Sequence, residues 1–302
     1  MENKKILITG GCGFVGGNIA RHLAKNNDVT CIDDMRYRKL LPERLHKMLY
    51  PEGCRVIEGD IFKAIGLECD VLSHAATVNI IDSMSNPKGC VDVNWNSTVA
   101  LFDSVPRTTQ LMYLSTSSVY GNAVLYPTPE VDRISATSYY AMTKYMAEMY
   151  LRSIRKDACI LRLSNVYGPL QMPHNPYAGV IGKVLRAAIK NDQFIIYGDG
   201  HDTRDYTYVS DVVNAVELAL DKHLRGVYNV GTGIETSVNN LTWMAEVDNV
   251  IQVEPRSIDN IKRRCIDAKL LAMDTGWKPE VKLDLGLELT RLWMENNGIF
   301  DK

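Results

Sequence analysis

The chain has 302 residues, 46% of them hydrophobic and 23% charged, and a formal net charge of −2. That balance fits a globular protein with a substantial core, in one large domain or two closely joined ones. It excludes a global charge bias toward nucleic acid or acidic membranes, so neither is an expected partner. Seven cysteines are scattered without CxxC pairs or metal-ligand spacing, which points to reduced thiols, no metal site and a cytoplasmic setting. Cys12, Cys31 and Cys159 lie in apolar strand or turn segments as small buried side chains.

Met1 to Lys5 runs directly into a strand, with no signal-peptide core, and no apolar run is long enough to span a bilayer. In chain order, Ile6–Ile8 reads as a short strand, Phe14–Lys25 as a helix, and Val29–Ile32, Arg55–Glu58 and Val71–His74 as strands. Asn86 followed by Pro87 reads as a cap with proline at the first helical position, opening a helix to about Ser104. Leu111–Ser115 is a strand, Thr137–Arg155 a helix and Cys159–Leu163 a strand. Strands alternating with helices imply a parallel, doubly wound α/β sheet.

The second half is less regular. Tyr177–Lys190 reads as a helix, Phe194–Tyr197 as a strand ended by Gly198-Asp199-Gly200, and Ser210 as the cap of a helix through Leu220. Val227–Val230 is strand-like, and short helices are expected over Asp267–Met273 and Asp284–Glu295. Residues 1–165 would form a Rossmann-type dinucleotide-binding domain, joined by later elements from about 192 to 230. Residues 166–191 and 231–302 would form a smaller C-terminal α/β substrate lobe.

Thr9 to Gly16 follows the first strand and opens the first helix. Gly11, Gly13 and Gly16 satisfy GxGxxG, and Gly10, Gly13 and Gly16 satisfy GxxGxxG. Between strand and helix, such a turn lets a pyrophosphate approach the backbone at a helix N-terminus. Asp33, at the end of the second strand, can accept hydrogen bonds from ribose hydroxyls and would repel a 2′-phosphate, which favours NAD. Arg36 and Arg38 keep NADP open. Asp60 follows the third strand, as a ligand residue or as a turn residue. Ala75 and Ala76 follow the fourth and leave room for a flat or extended ligand.

Tyr140 and Lys144 stand four residues apart, on one face of a helix. By spacing alone the pair is an aromatic resting on a lysine stem. Beside a cofactor, an ammonium favours the phenolate and lets the ring act as a base. Lowering a tyrosine pKa from about 10 by about three units needs about 4 kcal/mol, more than one lysine supplies. A second positive charge, such as an oxidised nicotinamide, would complete it.

Taken in order, the glycine turn, Asp33, His74-Ala75-Ala76, Ser115 to Gly121 and Tyr140-x-x-x-Lys144 resemble the extended short-chain dehydrogenase/reductase family, in particular its nucleotide-sugar epimerases and dehydratases. Leu161 to Pro169, Tyr197 to Val212, Arg256-x-x-Asp259, Asp267 and Gly276 to Pro279 resemble the family's later motifs, so the likeness covers nearly the whole chain. It implies that Tyr140 is the base, that Lys144 binds the nicotinamide ribose, and that Thr116 hydrogen-bonds the reacting hydroxyl. Gly10, Gly13, Phe14, Val15, Gly16, Asp33, Asp60, Ile61, Ala75, Ala76 and Asn94 would complete an NAD site with Tyr140 and Lys144. Ser117, Ser118, Asn165, Arg204, Arg256 and Asp259 would hold a nucleotide-diphosphate sugar, arginine forks suiting phosphate oxygens. Alternatively, Arg204 pairs with Asp202 or Asp205 and Arg256 is a solvated charge. The resemblance also implies a homodimer through the helices over 86–104 and 137–155.

The family's 4,6-dehydratases carry an Asp-Glu pair after Thr116, and related decarboxylases a glutamate at the second position. Here the pair is Ser117-Ser118, and neither hydroxyl titrates near neutral pH. Serine-rich versions resemble the 4-epimerases, in which Tyr140 would take the 4-hydroxyl proton while hydride passes from C4 to NAD. The 4-keto sugar then turns over, and hydride returns to its opposite face. A 4-ketoreductase and a catalytically silent dinucleotide-binding regulator are the alternatives. Two departures stand out: Ser97 replaces a glycine in the Asn94 to Thr98 segment, and a short segment separates Gly233 from Arg256.

Overall fold

The computed structural model describes residues 1–174, 179–255 and 261–301. The first half runs β1 (Lys5–Thr9), α1 (Phe14–Leu23), β2 (Asp28–Asp33), β3 (Cys54–Glu58), β4 (Val71–His74), α2 (Ile80–Ser85), α3 (Pro87–Val91), α4 (Thr98–Ser104), β5 (Gln110–Thr116), α5 (Tyr139–Ile154) and β6 (Cys159–Leu163). The second runs β7 (Asn165–Tyr167), α6 (Val180–Lys190), β8 (Phe194–Tyr197), β9 (Thr203–Arg204), β10 (Tyr206–Tyr208), α7 (Val209–Asp221), β11 (Gly226–Val230), β12 (Thr236–Ser237), α8 (Val238–Met244), β13 (Val250–Val253), β14 (Arg263–Arg264), α9 (Lys269–Thr275) and α10 (Leu283–Asn296).

Seven strands form one parallel sheet in the order β11-β6-β5-β4-β1-β2-β3. The order reverses between β1 and β4, and a crevice opens there at the carboxyl ends of the strands. Alternation along β1 explains why both faces are covered. Ile6 and Ile8 pack with Ile19, Val212 and Val216 on one side, whereas Leu7 packs with Leu72, Phe102, Ala147 and Leu151 on the other. A separate core of Tyr167, Leu185, Phe194, Ile196, Leu241, Leu287 and Met294 builds the second lobe.

Several expectations change in detail. The helix over 86–104 starts as expected, with the Asn86 side chain accepting from the Gly89 N–H at 3.0 Å and Pro87 next. It is interrupted over Asp92–Ser97 by a wider π-type turn, which separates α3 from α4. Ser210 is not a cap: α7 begins at Val209 without a side-chain cap. Within the segment around 192–230, α7 and β11 join the main sheet, while β8 pairs with β13 instead. The last two helices begin at Lys269 and Leu283, and the Asp267 carboxylate accepts from the Lys269 N–H at 2.9 Å. The expected start of the third-quarter helix at Tyr177 lies outside the described residues. Among the described residues no helix is long and apolar enough to cross a membrane.

Candidate active site

A cavity of about 640 Å³ lies over the carboxyl ends of the sheet strands, between the glycine turn and the second lobe. The turn itself is dictated by contact. Gly10 has φ +71°, and a Cβ there would lie 2.6 Å from the Ala76 nitrogen. A Cβ on Gly16 would lie 2.2 Å from the Gly10 carbonyl oxygen, so α1 can approach β1 only without one. Gly13 caps α1, and Phe14, Val15 and Gly16 line the cavity behind it with the helix N-terminus facing in. These residues form a cradle that a pyrophosphate fits and a side chain would fill.

Asp33, at the end of β2, accepts from the Cys12 N–H at 3.1 Å and the Met35 N–H at 2.9 Å. Burial pushes its carboxyl up, and those two hydrogen bonds oppose the shift. The two arginines that kept NADP open are engaged elsewhere. Arg36 Nε donates to Asp34 at 2.8 Å and Arg38 pairs with Glu58 at 2.9 Å. With the Asp33 carboxylate between them and the glycine turn, the residues present fit NAD. Asp60, Ile61, Ala75 and Ala76 line the same cavity, and the Asp60 carboxylate also accepts from the Phe62 N–H at 3.0 Å, so it is a turn residue as well.

Thr116, Ser118, Tyr140 and Asn165 face the cavity from the other end. Thr116 closes β5, and its hydroxyl accepts from the Ser118 N–H at 3.1 Å. Tyr140 enters on the first turn of α5, whose cap Ser138 accepts from the Ala141 N–H at 3.2 Å. Burial pushes the Tyr140 hydroxyl up, while a hydrogen bond from Thr116 and the charge of Arg264 pull it down. Lys144 lies one turn further and is fully buried. Its ammonium donates to the Leu114 carbonyl and sits 4.2 Å over the Tyr113 ring. Burial pulls Lys144 down to about 7, against the attraction of Glu148. The spacing rule thus puts both residues on one helix; Arg264 adds a positive charge that pulls the Tyr140 hydroxyl down, and Lys144 holds the Leu114 carbonyl behind it.

Behind the lysine, Glu148 is fully buried and takes a two-pronged contact from Arg162, whose Nη2 donates at 2.6 Å. Ser115 donates to the same carboxylate, and Arg162 Nη1 reaches the Tyr120 hydroxyl at 2.9 Å. His74 lies between the Thr9 and Thr98 hydroxyls, stacked on Tyr113, and burial with the nearby Lys144 holds it down at about 3, so it stays neutral.

Three expected site residues, Asn94, Ser117 and Arg204, stand elsewhere. Asn94 is buried in the π-type turn, where it accepts from the Val78 N–H at 2.7 Å and donates to the Val78 carbonyl at 3.0 Å. It braces the loop after β4 and does not line the cavity. Ser117 is buried in the wall behind Thr116. Arg204 is not among the described lining residues, and its Nη1 donates to the Thr203 and Ile261 carbonyls at 2.9 and 2.8 Å. Its two suggested acidic partners have other company, Asp202 with Lys262 and Asp205 with Thr232, Gly233 and Ile266. Arg256 and Asp259 lie outside the described residues. Conversely, sequence reasoning missed Arg264, which lines the cavity from β14, and the Glu148–Arg162 pair. The four-residue step from Tyr140 through Lys144 to Glu148 was the available signal for the latter.

A model of the NAD dependent epimerase/dehydratase family matches residues 6–231. Over 314 residues the chain is 31% identical to a UDP-glucose 4-epimerase of Mycolicibacterium smegmatis, covering 97% of this chain and 99% of that one. It is 28% identical to a UDP-N-acetyl-alpha-D-glucosaminuronate decarboxylase of Bacillus cytotoxicus, over 96% and 97% of the two chains. Its fold superposes on that of a UDP-glucose 4-epimerase of Thermotoga maritima, solved with UDP-glucose, with a TM-score of 0.87, 28% identity and coverage of 97% and 99%.

Proposed function

The chain belongs to the NAD dependent epimerase/dehydratase family, and from that membership we propose that it is a nucleotide-diphosphate-sugar 4-epimerase using NAD. The observation that carries this reading is the company of the Tyr140 hydroxyl. Thr116 and Arg264 act on it, and among the described residues no carboxylate does. Elimination or decarboxylation would call for a further titrating acid or base beside the sugar, and Ser117-Ser118 supply none.

Tyr140 takes the proton of the sugar 4-hydroxyl and returns it after the sugar has turned. Thr116 hydrogen-bonds the same oxygen and orients it. Bound NAD supplies the acceptor, and then the donor, of the C4 hydride. Lys144 keeps one ammonium hydrogen on Leu114 and has two others for the nicotinamide ribose. Gly10, Gly13, Phe14, Val15 and Gly16 receive the pyrophosphate, and Asp33 the adenosine ribose. Asp60, Ile61, Ala75 and Ala76 flank the adenosine half. Ser118 and Asn165 take the sugar side.

An exposed apolar stripe on α5, made of Met142, Met146 and Met149, continues onto Met84 and Val91 of the neighbouring helices. It supports a homodimer through this face. Seven unbridged cysteines support a reducing compartment, the cytoplasm.

The test is to follow C4 configuration by NMR in a panel of UDP- and dTDP-sugars, without added cofactor, and to assay NAD released on denaturation. Interconversion of 4-epimers supports the reading. Net accumulation of reduced cofactor, or loss of water or carbon dioxide from the sugar, overturns it.

A further inference from the structure

In the proposed reaction Thr116 and Tyr140 meet one substrate hydroxyl, the first from the end of β5 and the second from the first turn of α5. Such a shared contact needs strand and helix held at one offset. Apolar packing of Ala147 and Leu151 against Leu111, Tyr113 and Ile160 joins the helix to the sheet, but it is non-directional.

A directional link lies two turns along the helix. Tyr140, Lys144 and Glu148 follow at four-residue steps, so they form one stripe on α5. Ser115 stands immediately before Thr116, and the register of β5 with β6 puts it opposite Arg162. Such partners point to the same face of the sheet. Glu148 meets both. Ser115 donates to its carboxylate, and Arg162 donates to it through Nε at 3.1 Å and Nη2 at 2.6 Å. All three side chains are buried, Glu148 at 0% exposure. The far end of the turn after Thr116 is tied to the same pair. Tyr120 closes that turn, its hydroxyl accepts from Arg162 Nη1 at 2.9 Å, and it donates to the Asn229 amide oxygen at 2.7 Å. Thr116 therefore sits between Ser115 and Tyr120, both anchored to one buried ion pair.

A buried ion pair adds little net stability over a well-packed apolar replacement, whereas its hydrogen bonds fix lengths and angles. Ser115 is the informative member. Its hydroxyl joins the pair to the strand that carries Thr116, and removing it leaves the Glu148 carboxylate with its arginine contacts.

We propose that Ser115 and Glu148 are positioning residues: their hydrogen bond holds α5 against the end of β5 and so sets the offset of Tyr140 from Thr116 at the substrate hydroxyl. The inference rests on the proposed function only in giving Tyr140 and Thr116 a common hydroxyl, and it is independent of which product forms.

The experiment is a mutant cycle in NAD-loaded protein, with turnover followed by NMR on a nucleotide sugar that the unaltered protein converts. Ser115→Ala should lower kcat by about tenfold to a hundredfold, the effect of a misplacement of about 1 Å. The Kd of the sugar nucleotide, measured by calorimetry, should stay within about threefold. In a Thr116→Val background, Ser115→Ala should lower kcat by less than about a further threefold, because it acts through Thr116. A kcat within about twofold of the unaltered value in Ser115→Ala overturns the inference, as does the full loss repeated in the Thr116→Val background. A parallel fall in substrate affinity overturns it too, in favour of a general loosening of the cavity. Conversion to a product other than the 4-epimer overturns the epimerase reading and leaves this comparison intact. Crystal structures of the NAD-loaded protein with and without Ser115→Ala give a reading free of turnover. The Thr116 hydroxyl should move by about 0.5 Å or more relative to the Tyr140 hydroxyl, and superposition of the two sites overturns the inference.

Discussion

On the sheet side of the cavity, the groups that face a ligand are main-chain atoms and short side chains at the ends of long parallel strands: Gly10, Gly13, Gly16, Ala75, Ala76 and Thr116. On the second-lobe side they include a long cationic side chain, Arg264, carried by a strand of two residues. The sheet side owes its shape to contacts that leave no room for substitution, as the Gly16 and Gly10 approach does. The lobe side owes its shape to hydrogen bonds on one buried carboxylate, Asp205. The first is suited to a constant ligand, the dinucleotide. The second can be altered one side chain at a time.

That contrast can be broken in graded ways. The largest effect is expected for Tyr140→Phe, which should lower kcat by about a thousandfold or more while NAD still co-purifies; turnover near the unaltered rate would remove the sheet side from the chemistry. Next, Lys144 bears on stability in the cofactor-free protein. Its pKa is lowered from 10.5 to about 7, so between those values the unfolded chain binds more protons than the folded one. Its penalty is therefore complete below about pH 7 and fades as pH rises toward 10.5. Urea titrations at pH 6.5 and 9.5 should show Lys144→Met flattening that dependence by about 3–4 kcal/mol. A somewhat smaller loss, about 3 kcal/mol, is expected for Glu148→Gln, which leaves the buried Arg162 guanidinium without its counter-charge; a change below about 1 kcal/mol would show that the network behind the lysine is incidental. The smallest effect belongs to the rim. Arg38→Ala should leave the urea midpoint essentially where it is, because its pair with Glu58 is exposed and screened by solvent, and should leave the preference for NAD over NADP in place.

The same contrast governs how much could be read from the amino-acid order. Strands β1 and β5 announce themselves because both faces are buried, so apolar residues run without a break from Ile6 to Ile8 and from Leu111 to Leu114. The glycine turn is legible because its steric demands admit one residue type. Strands β9, β12 and β14 have two residues each, too few for any period to show, and Arg264 was invisible for that reason. Asn94 misled in a different way. Its helix carries a π-type turn, and the wider turn aims the amide at Val78 in place of the cavity. The tyrosine–lysine spacing was right about the helix and incomplete about the charge, because spacing cannot tell that the lysine folds back onto a strand carbonyl.

The opposed arginines of β14 carry a lesson about how such a pocket can diversify. Which side chain looks into the cavity is decided by register alone: Arg263 lies opposite Thr203 and Arg264 opposite Arg204. A slip of one residue would turn Arg264 to solvent and bring Arg263 or Cys265 inward. A shift of register in this strand would thus exchange a cation for a thiol in the cavity wall without touching the sheet, the glycine turn or Tyr140. In so short a strand, register rather than composition decides which chemistry the wall presents.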